Sequence, residues 1–374
     1  MIITIISLLI ASAIPLACLF VIYKLDMYQT GERAIIGICF GWGLVAYFIA
    51  AQLNPAMIHW GIFERNVVLR FIGPALEEVL KGLILLFLVR RARFTYFVDG
   101  AIYGFAIGIG FAVVENWEYI LGNPQSAIFL AIGRVLSTNL IHATGSALIG
   151  IALGYARFDR SARRLLVLTI GVILAIGLHI GFNNLVTRVQ GGIVLLYAAV
   201  VGFGGTGLIV WQIRRGLGEE KVWIEEKLGV ADRVTRSEAA LVQHLEKVDD
   251  LLAPLAQRFG PKKAKQIEEF LVLQARLGIN RMSIEKHTDE KMRAALEKQV
   301  ADLQIKMDAA RREVGIYCMM YVRQIFPEGS SPLWGKLQAI IDEKVASGAP
   351  RSGPSLWDSL DRRARNTPGE TGNE

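Results

Sequence analysis

The sequence predicts an all-α membrane protein, with about seven transmembrane helices followed by a polar helical C-terminal region. Three observations lead there. Apolar residues run in unbroken blocks of about 20, the length an α-helix needs to cross a hydrocarbon core of about 30 Å, without the alternation of a membrane barrel. Charge is unevenly spread: residues 1–213 hold 14 Lys/Arg and 9 Asp/Glu, whereas residues 214–374 hold 27 and 25. The basic residues of the first part alternate between the loops in the way that sets membrane topology.

The apolar blocks are 2–23, 34–53, 67–89, 98–121, 126–155, 165–186 and 192–213. Ala11-Ser12-Ala13 in the first resembles a signal-peptide cleavage site, but no charged segment precedes it and the block stays apolar to Tyr23, which predicts an uncleaved span. The fifth block is long, so it is expected to tilt or to begin with an interfacial turn. The first, third and fifth loops carry Lys24 and Arg33, then Arg90, Arg91 and Arg93, then Arg157, Arg160, Arg163 and Arg164. The second and sixth carry only Arg65 and Arg188, and the fourth none. The expectation is an integral protein of the cell membrane with its N-terminus outside and, after seven spans, its C-terminus in the cytoplasm. Residues 1–213 then form the membrane domain, 214–330 a cytoplasmic helical domain and 331–374 a flexible tail rich in Pro, Gly, Ser and Arg.

The net charge of +7 is not gathered into a patch, so a nucleic-acid partner is not expected. Cys18, Cys39 and Cys318 have no spacing that suggests a disulfide framework or a zinc knuckle. The partners implied are the lipid bilayer and, through the C-terminal region, a cytoplasmic protein or a second copy of the chain. Amphipathic spacing is clear at 267–273 and 312–326, with Pro254, Gly260-Pro261 and Pro327 as punctuation.

Ionisable residues inside spans cost several kcal/mol, roughly, and point to function by default. The third span contains Glu77-Glu78-Val79-Leu80-Lys81. Lys81 lies i+4 from Glu77 and i+3 from Glu78, so it can neutralise either one. Two adjacent carboxylates with one cation cannot both ionise cheaply, so one is expected to hold a proton. Pro74 removes a backbone donor one turn earlier and is expected to open the helix locally. A buried ion pair that only fixes helix register is the alternative, and the second carboxylate exceeds what that role requires. The fourth span carries Glu115 and Asn116; the fifth carries Arg134, Asn139 and His142; the sixth carries His179 and Asn183 on one face. Arg70 and Arg134 are expected to snorkel or to hold a substrate backbone.

These groups are a hydrolase inventory. A glutamate can activate water as general base, and His or Asn can donate to the oxyanion that forms. No serine has a convincing base partner, and no His-Glu-x-x-His zinc signature is present. A divalent metal such as zinc, held by His142, His179 and a Glu, stays open beside a metal-free glutamate site.

Four motifs then line up with a known family. Glu77-Glu78-Val79-Leu80-Lys81 resembles the EExxK motif of the PrsW family of intramembrane proteases. Phe111 to Glu115 with Asn116 resembles its FxxxEN motif, and His142 and the segment from His179 to Asn183 resemble its later histidine motifs. The resemblance covers about 67–184 and extends distantly to the CAAX-processing membrane proteases, whose basic residue usually comes one position later than Lys81. It implies an intramembrane endopeptidase acting on a single-span membrane protein such as an anti-sigma factor. On that reading Glu77, Glu78, Glu115, His142 and His179 are catalytic, while Asn116, Asn183 and Lys81 bind substrate or oxyanion. Two rival classes remain: a proton-coupled transporter, for which no internal repeat is visible, and a non-catalytic receptor or scaffold signalling through the C-terminal helices.

Overall fold

The structure is a computed structural model describing residues 1–325 apart from 160, 189–191, 229–233, 235, 243–244 and 246–247. The tail expected at 331–374 lies outside the described residues. Among those described there are helices and no strands: α1 (Ile2–Lys24), α2 (Arg33–His59), α3 (Arg65–Val67), α4 (Gly73–Leu88), α5 (Phe97–Gly122), α6 (Ala127–Leu136), α7 (Thr138–Ala156), α8 (Ala162–Arg188) and α9 (Gly192–Lys227). Then follow α10 (Arg236–Val242), α11 (Val248–Phe259), α12 (Pro261–Lys286), α13 (Glu290–Val314) and α14 (Ile316–Ile325). Only helices and closed barrels can satisfy every backbone group inside lipid, so an all-α membrane protein is what apolar blocks of this length produce.

Five helical segments among the described residues are long and apolar enough to cross a membrane: Ile2–Lys24, Arg33–His59, Phe97–Gly122, Pro124–Ala156 and Ala162–Leu185. Two of the seven expected spans take other forms. The third is divided, because α3 and α4 are joined by a π-helical turn at Val68–Ile72 that leaves α4 with 16 residues. The seventh is the first part of α9, a 36-residue helix that passes position 214 without a break. The fifth divides at Ser137 into α6 and α7.

α5 is the hub. Residues Phe97 to Val113 are buried without interruption, in contacts with α2 on one side and α7 on the other. Lipid tails are as apolar as Leu, so helices in a membrane gain little from hydrophobicity and associate by close packing of small residues. α5 has that surface at Gly100, Gly104 and Gly108, four residues apart. A Cβ at these positions would collide with the α7 backbone at Gly150, Ser146 and His142 respectively. The descending partners against ascending glycines mean that α5 and α7 run antiparallel. Gly110 meets Phe40 of α2 in the same way. The glycines therefore set the depth of Glu115 on α5 against His142 on α7.

The loops 25–32, 89–96 and 157–159 come together, Arg93 pairing with Glu32 and Arg157 reaching the carbonyls of Val89 and Arg91, and later helices pack there. Tyr96 Oη donates to Glu219 Oε2 at 2.6 Å. Arg157 donates from Nη1 to the carbonyls of Val89 and Arg91 at 3.0 Å each, and from Nε to His287 Nε2 at 3.0 Å. Arg157 therefore joins these segments as well as adding to the charge bias. Residues 1–326 form one compact unit. In the C-terminal region the helix expected across 312–326 is interrupted at Gly315, whose φ of 86° lies in the left-handed region that favours glycine. Pro254, expected to end a helix, sits inside α11, where it forgoes one backbone hydrogen bond.

Candidate active site

Four helices bring the predicted ionisable residues to one place. α4 supplies Glu77, Glu78 and Lys81, α5 supplies Glu115 and Asn116, α7 supplies His142, and α8 supplies His179. Lys81 is fully buried and lies at the centre. Its Nζ donates to Glu78 Oε1 at 2.5 Å and faces His142 Nδ1 at 3.0 Å, with the Phe111 ring 4.7 Å away. Of the two carboxylates that it could neutralise, it takes Glu78, at i+3.

Glu78 is closed in. Its Oε1 accepts from Lys81 and stands 2.9 Å from His179 Nδ1. Its Oε2 has no hydrogen-bond partner among the described residues. Gly145 gives this carboxylate its room, since a Cβ there would lie 3.2 Å from Oε2. Glu77 is different. Its side chain is 16% exposed, against 1% for Glu78. Its Oε1 accepts from Asn54 Nδ2 at 3.2 Å, and Oε2 lies 3.7 Å from His179 Nε2, beyond a direct hydrogen bond. Glu77 is thus the more open and less committed carboxylate of the pair.

On the far side of His142, its Nε2 is 2.8 Å from Glu115 Oε2. The tautomer follows from the partners: with the Lys81 ammonium donating to Nδ1, Nε2 carries the hydrogen and donates to Glu115. Arg134 completes this end. Its Nη2 is 2.8 Å from Glu115 Oε2, and its Nε donates to Asn116 Oδ1 at 2.7 Å. Asn116 Nδ2 in turn donates to Asn139 Oδ1 at 3.0 Å. Arg134 therefore belongs to the site and does not snorkel. Three carboxylates face two fixed cations, an excess of one negative charge that a proton or a bound cation would balance.

Asn183 Nδ2 donates to Leu69 O at 3.1 Å, and Asn184 Nδ2 donates to Arg70 O at 3.2 Å. Both carbonyls lie in the π turn immediately before Pro74. A π turn leaves local carbonyls off the i−4 ladder and occurs often at functional sites. The opening expected from Pro74 is this turn, pinned by two asparagines of α8. Asn139, on the face of His142 by its spacing, reaches the site through Asn116, whereas Asn54 and the π turn are not indicated by the sequence. Asn54 lies just past the apolar block 34–53, in the last turns of α2, and the π turn has no signal beyond Gly73-Pro74.

A metal can be weighed against the same residues. Glu77, His142 and His179 offer one donor atom each within 4.8 Å of one another. Two imidazoles and a carboxylate are a set that catalytic zinc uses, and the bond from His179 Nδ1 to Glu78 is the kind that orients a ligating imidazole. The set fits a divalent ion in donor type and proximity, with one requirement: both His142 nitrogens already have partners, so ligation there means giving up Lys81 or Glu115.

The comparisons with known proteins reach the segment that holds these residues. The family described as "PrsW family intramembrane metalloprotease" matches residues 32–206. Curated relatives named Protease PrsW include that of Bacillus subtilis, 28% identical over 195 residues covering 52% of this chain and 88% of the relative. That of Shouchella clausii is 27% identical over 214 residues, covering 56% and 97%, and that of Halalkalibacterium halodurans is 29% identical over 157 residues, covering 41% and 71%. No solved structure matches significantly. The matched segment contains every residue of the four-helix site, so the site lies in the part of the chain that is similar to the PrsW family of intramembrane proteases, and the protein is an intramembrane peptidase.

Proposed function

We propose that the protein is an endopeptidase that hydrolyses a membrane-anchored, single-span protein with water activated by Glu77. The observation that carries this reading is the contrast within the pair: Glu78 is fixed by Lys81 and His179, whereas Glu77 is partly exposed and, among the described residues, holds one direct hydrogen bond, to Asn54. A general base needs an accessible lone pair and a proton acceptor of suitable basicity. Glu78 positions His179, and His179 Nε2 faces the same space as Glu77. His179 stabilises the oxyanion with Asn183 near the π turn, and His142 supports the network. Glu115, held by Arg134 and His142, orders the substrate together with Asn116. An anti-sigma-factor-like regulator is the substrate class that the family resemblance suggests. Topology is part of the proposal: N-terminus outside, residues 214–330 a cytoplasmic domain that binds a protein partner or a second copy, and 331–374 its tail.

The test is comparison of protein termini in membranes of cells holding the wild-type chain or Glu77→Gln at equal abundance. The expected result is one or a few single-span proteins left uncut in the variant. An unchanged set of termini, with Glu77→Gln folded, overturns the role of Glu77. Proximity of Glu77, His142 and His179 supports a second reading, in which they hold a divalent metal that acts as Lewis acid. Elemental analysis of purified wild type and His179→Ala separates the two: about one metal per chain, lost in the variant, favours the second.

A further inference from the structure

A cleft of 440 Å³ lies at the end of α4 remote from Pro74, between that helix, the start of α2, the Arg90–Phe94 loop and α13. It is seven residues, about 10 Å along the helix, from Lys81. Its walls divide by chemistry. Ile35, Leu88, Phe94 and Met292 line one part, and Arg90, Arg91, Arg93, Lys291 and Lys298 line the other. Asp289 is the single acidic lining residue, and its Oδ1 is engaged in capping α13 through the amides of Lys291 and Met292.

Loop topology explains arginines next to a span, but it does not explain Lys291 and Lys298, which stand on a polar helix. With Ala295 between them they occupy one face of α13 at i, i+4 and i+7, and the small alanine leaves the space open. Arg93 is paired with Glu32 at 2.9 Å, and the Arg91 guanidinium lies 4.2 Å from the centre of the Phe87 ring. Arg90, Lys291 and Lys298 have no ion-pair partner among the described residues. The cleft also sits at the membrane boundary: Leu88 is the last residue of α4, Ile35 is in the first turn of α2, and Leu86, Phe87 and Ile38 on the same helices are exposed.

We propose that this cleft binds the headgroup of an anionic phospholipid from the leaflet facing the C-terminal helices. Arg90, Lys291 and Lys298 hold the phosphate, and the acyl chains continue along the exposed apolar faces of α2 and α4. A volume of this size is typical of small-molecule sites, about 300–1,000 Å³. Three cations unpaired among the described residues, with Arg91 beside them and the one lining carboxylate committed to a helix cap, match an anion, and an apolar wall leading into the bilayer matches a lipid over a free ion. The bound lipid would join α13 to the helix that carries Glu77, Glu78 and Lys81. The inference does not depend on which residue is the general base.

Native mass spectrometry of the purified full chain, exchanged into phosphatidylglycerol or phosphatidylcholine at equal mole fraction, tests it. The wild type is expected to retain phosphatidylglycerol preferentially. The triple variant Arg90→Gln/Lys291→Gln/Lys298→Gln should weaken retention on the order of a hundredfold, from roughly fivefold for each cation near the surface. Ala295→Trp fills the cleft without changing charge, and it should also lose the lipid, which decides the matter if the triple variant aggregates. Equal retention of the two lipids, or retention in Ala295→Trp equal to wild type, overturns the proposal. Displacement by millimolar inorganic phosphate would show a site for the free anion and also overturn it.

Discussion

Lys81→Met is the most informative single perturbation of the buried network. Methionine keeps most of the aliphatic stem and removes the ammonium. The loss is Coulombic and polar: Glu78 is left ionised with His179 as its remaining partner and one oxygen already unpaired, and His142 Nδ1 loses its donor. Removing one member of a buried ion pair costs about 3–5 kcal/mol, because the surviving charge stays desolvated. Glu78→Gln on the Lys81→Met background removes that charge, and what remains is about 1–3 kcal/mol for unsatisfied polar atoms. Glu78→Gln alone strands the Lys81 ammonium at a similar cost, so the double-mutant cycle should give a coupling energy of at least about 3 kcal/mol. Reversible unfolding in mixed micelles, followed by near-ultraviolet circular dichroism, measures all four corners. A Lys81→Met variant within about 0.5 kcal/mol of wild type, or additive effects of the two substitutions, would refute the reasoning, because the charges would then be solvated and not buried together.

Other expectations follow from the packing and the charges. Gly108→Ala drives a Cβ into the α7 backbone at His142, so it should cost about 1–3 kcal/mol and reduce proteolysis, whereas Gly122→Ala, with open space around it, should do neither; unfolding and cleavage assays on both compare them. Arg134→Gln leaves Glu115 with His142 alone and releases Asn116, and activity should fall about tenfold or more, with Arg134→Lys recovering part of it in initial-rate measurements. Burial first, and then the Asp99 carboxylate beside it, push Asp26 in the α1–α2 loop up to about 7. Its folded state prefers the proton, so this stability is fully present below about pH 4 and is lost as pH rises through about 7, by at most about 4 kcal/mol. Melting temperatures across pH 5–8 should fall for the wild type and flatten for Asp26→Asn.

The ionisable site was legible in the sequence because lipid is an unforgiving solvent for charge. Glu77, Glu78, Lys81, Glu115, His142 and His179 stand out against apolar spans, and helical spacing already puts Lys81 within reach of the pair. Spacing could not say which glutamate the lysine takes, since i+3 and i+4 both reach; burial and His179 decide it for Glu78. Arg134 looked like a residue free to snorkel because its partner, Glu115, is 19 positions away on another helix. The span at 98–121 coincides with α5 to within one residue at each end, whereas α2 runs six residues past the block at 34–53. The division at Val68–Ile72 was not legible, because a π turn changes the hydrogen-bond register without changing hydropathy. Gly100, Gly104 and Gly108 carried a signal, the four-residue spacing of close-packed membrane helices, and this spacing sets how α5 and α7 align the site.

The central claim is that Glu77 is the base of an intramembrane peptidase. It is tested most directly by cleavage in proteoliposomes of the single-span protein that accumulates uncut with Glu77→Gln. Purified wild type, Glu77→Gln and Glu77→Asp, matched for folding by thermal unfolding, are compared. The account predicts cleavage by the wild type, a loss of about 10²–10⁴-fold in Glu77→Gln and partial activity in Glu77→Asp. Cleavage by Glu77→Gln within a few-fold of wild type would contradict it and move the base elsewhere in the network.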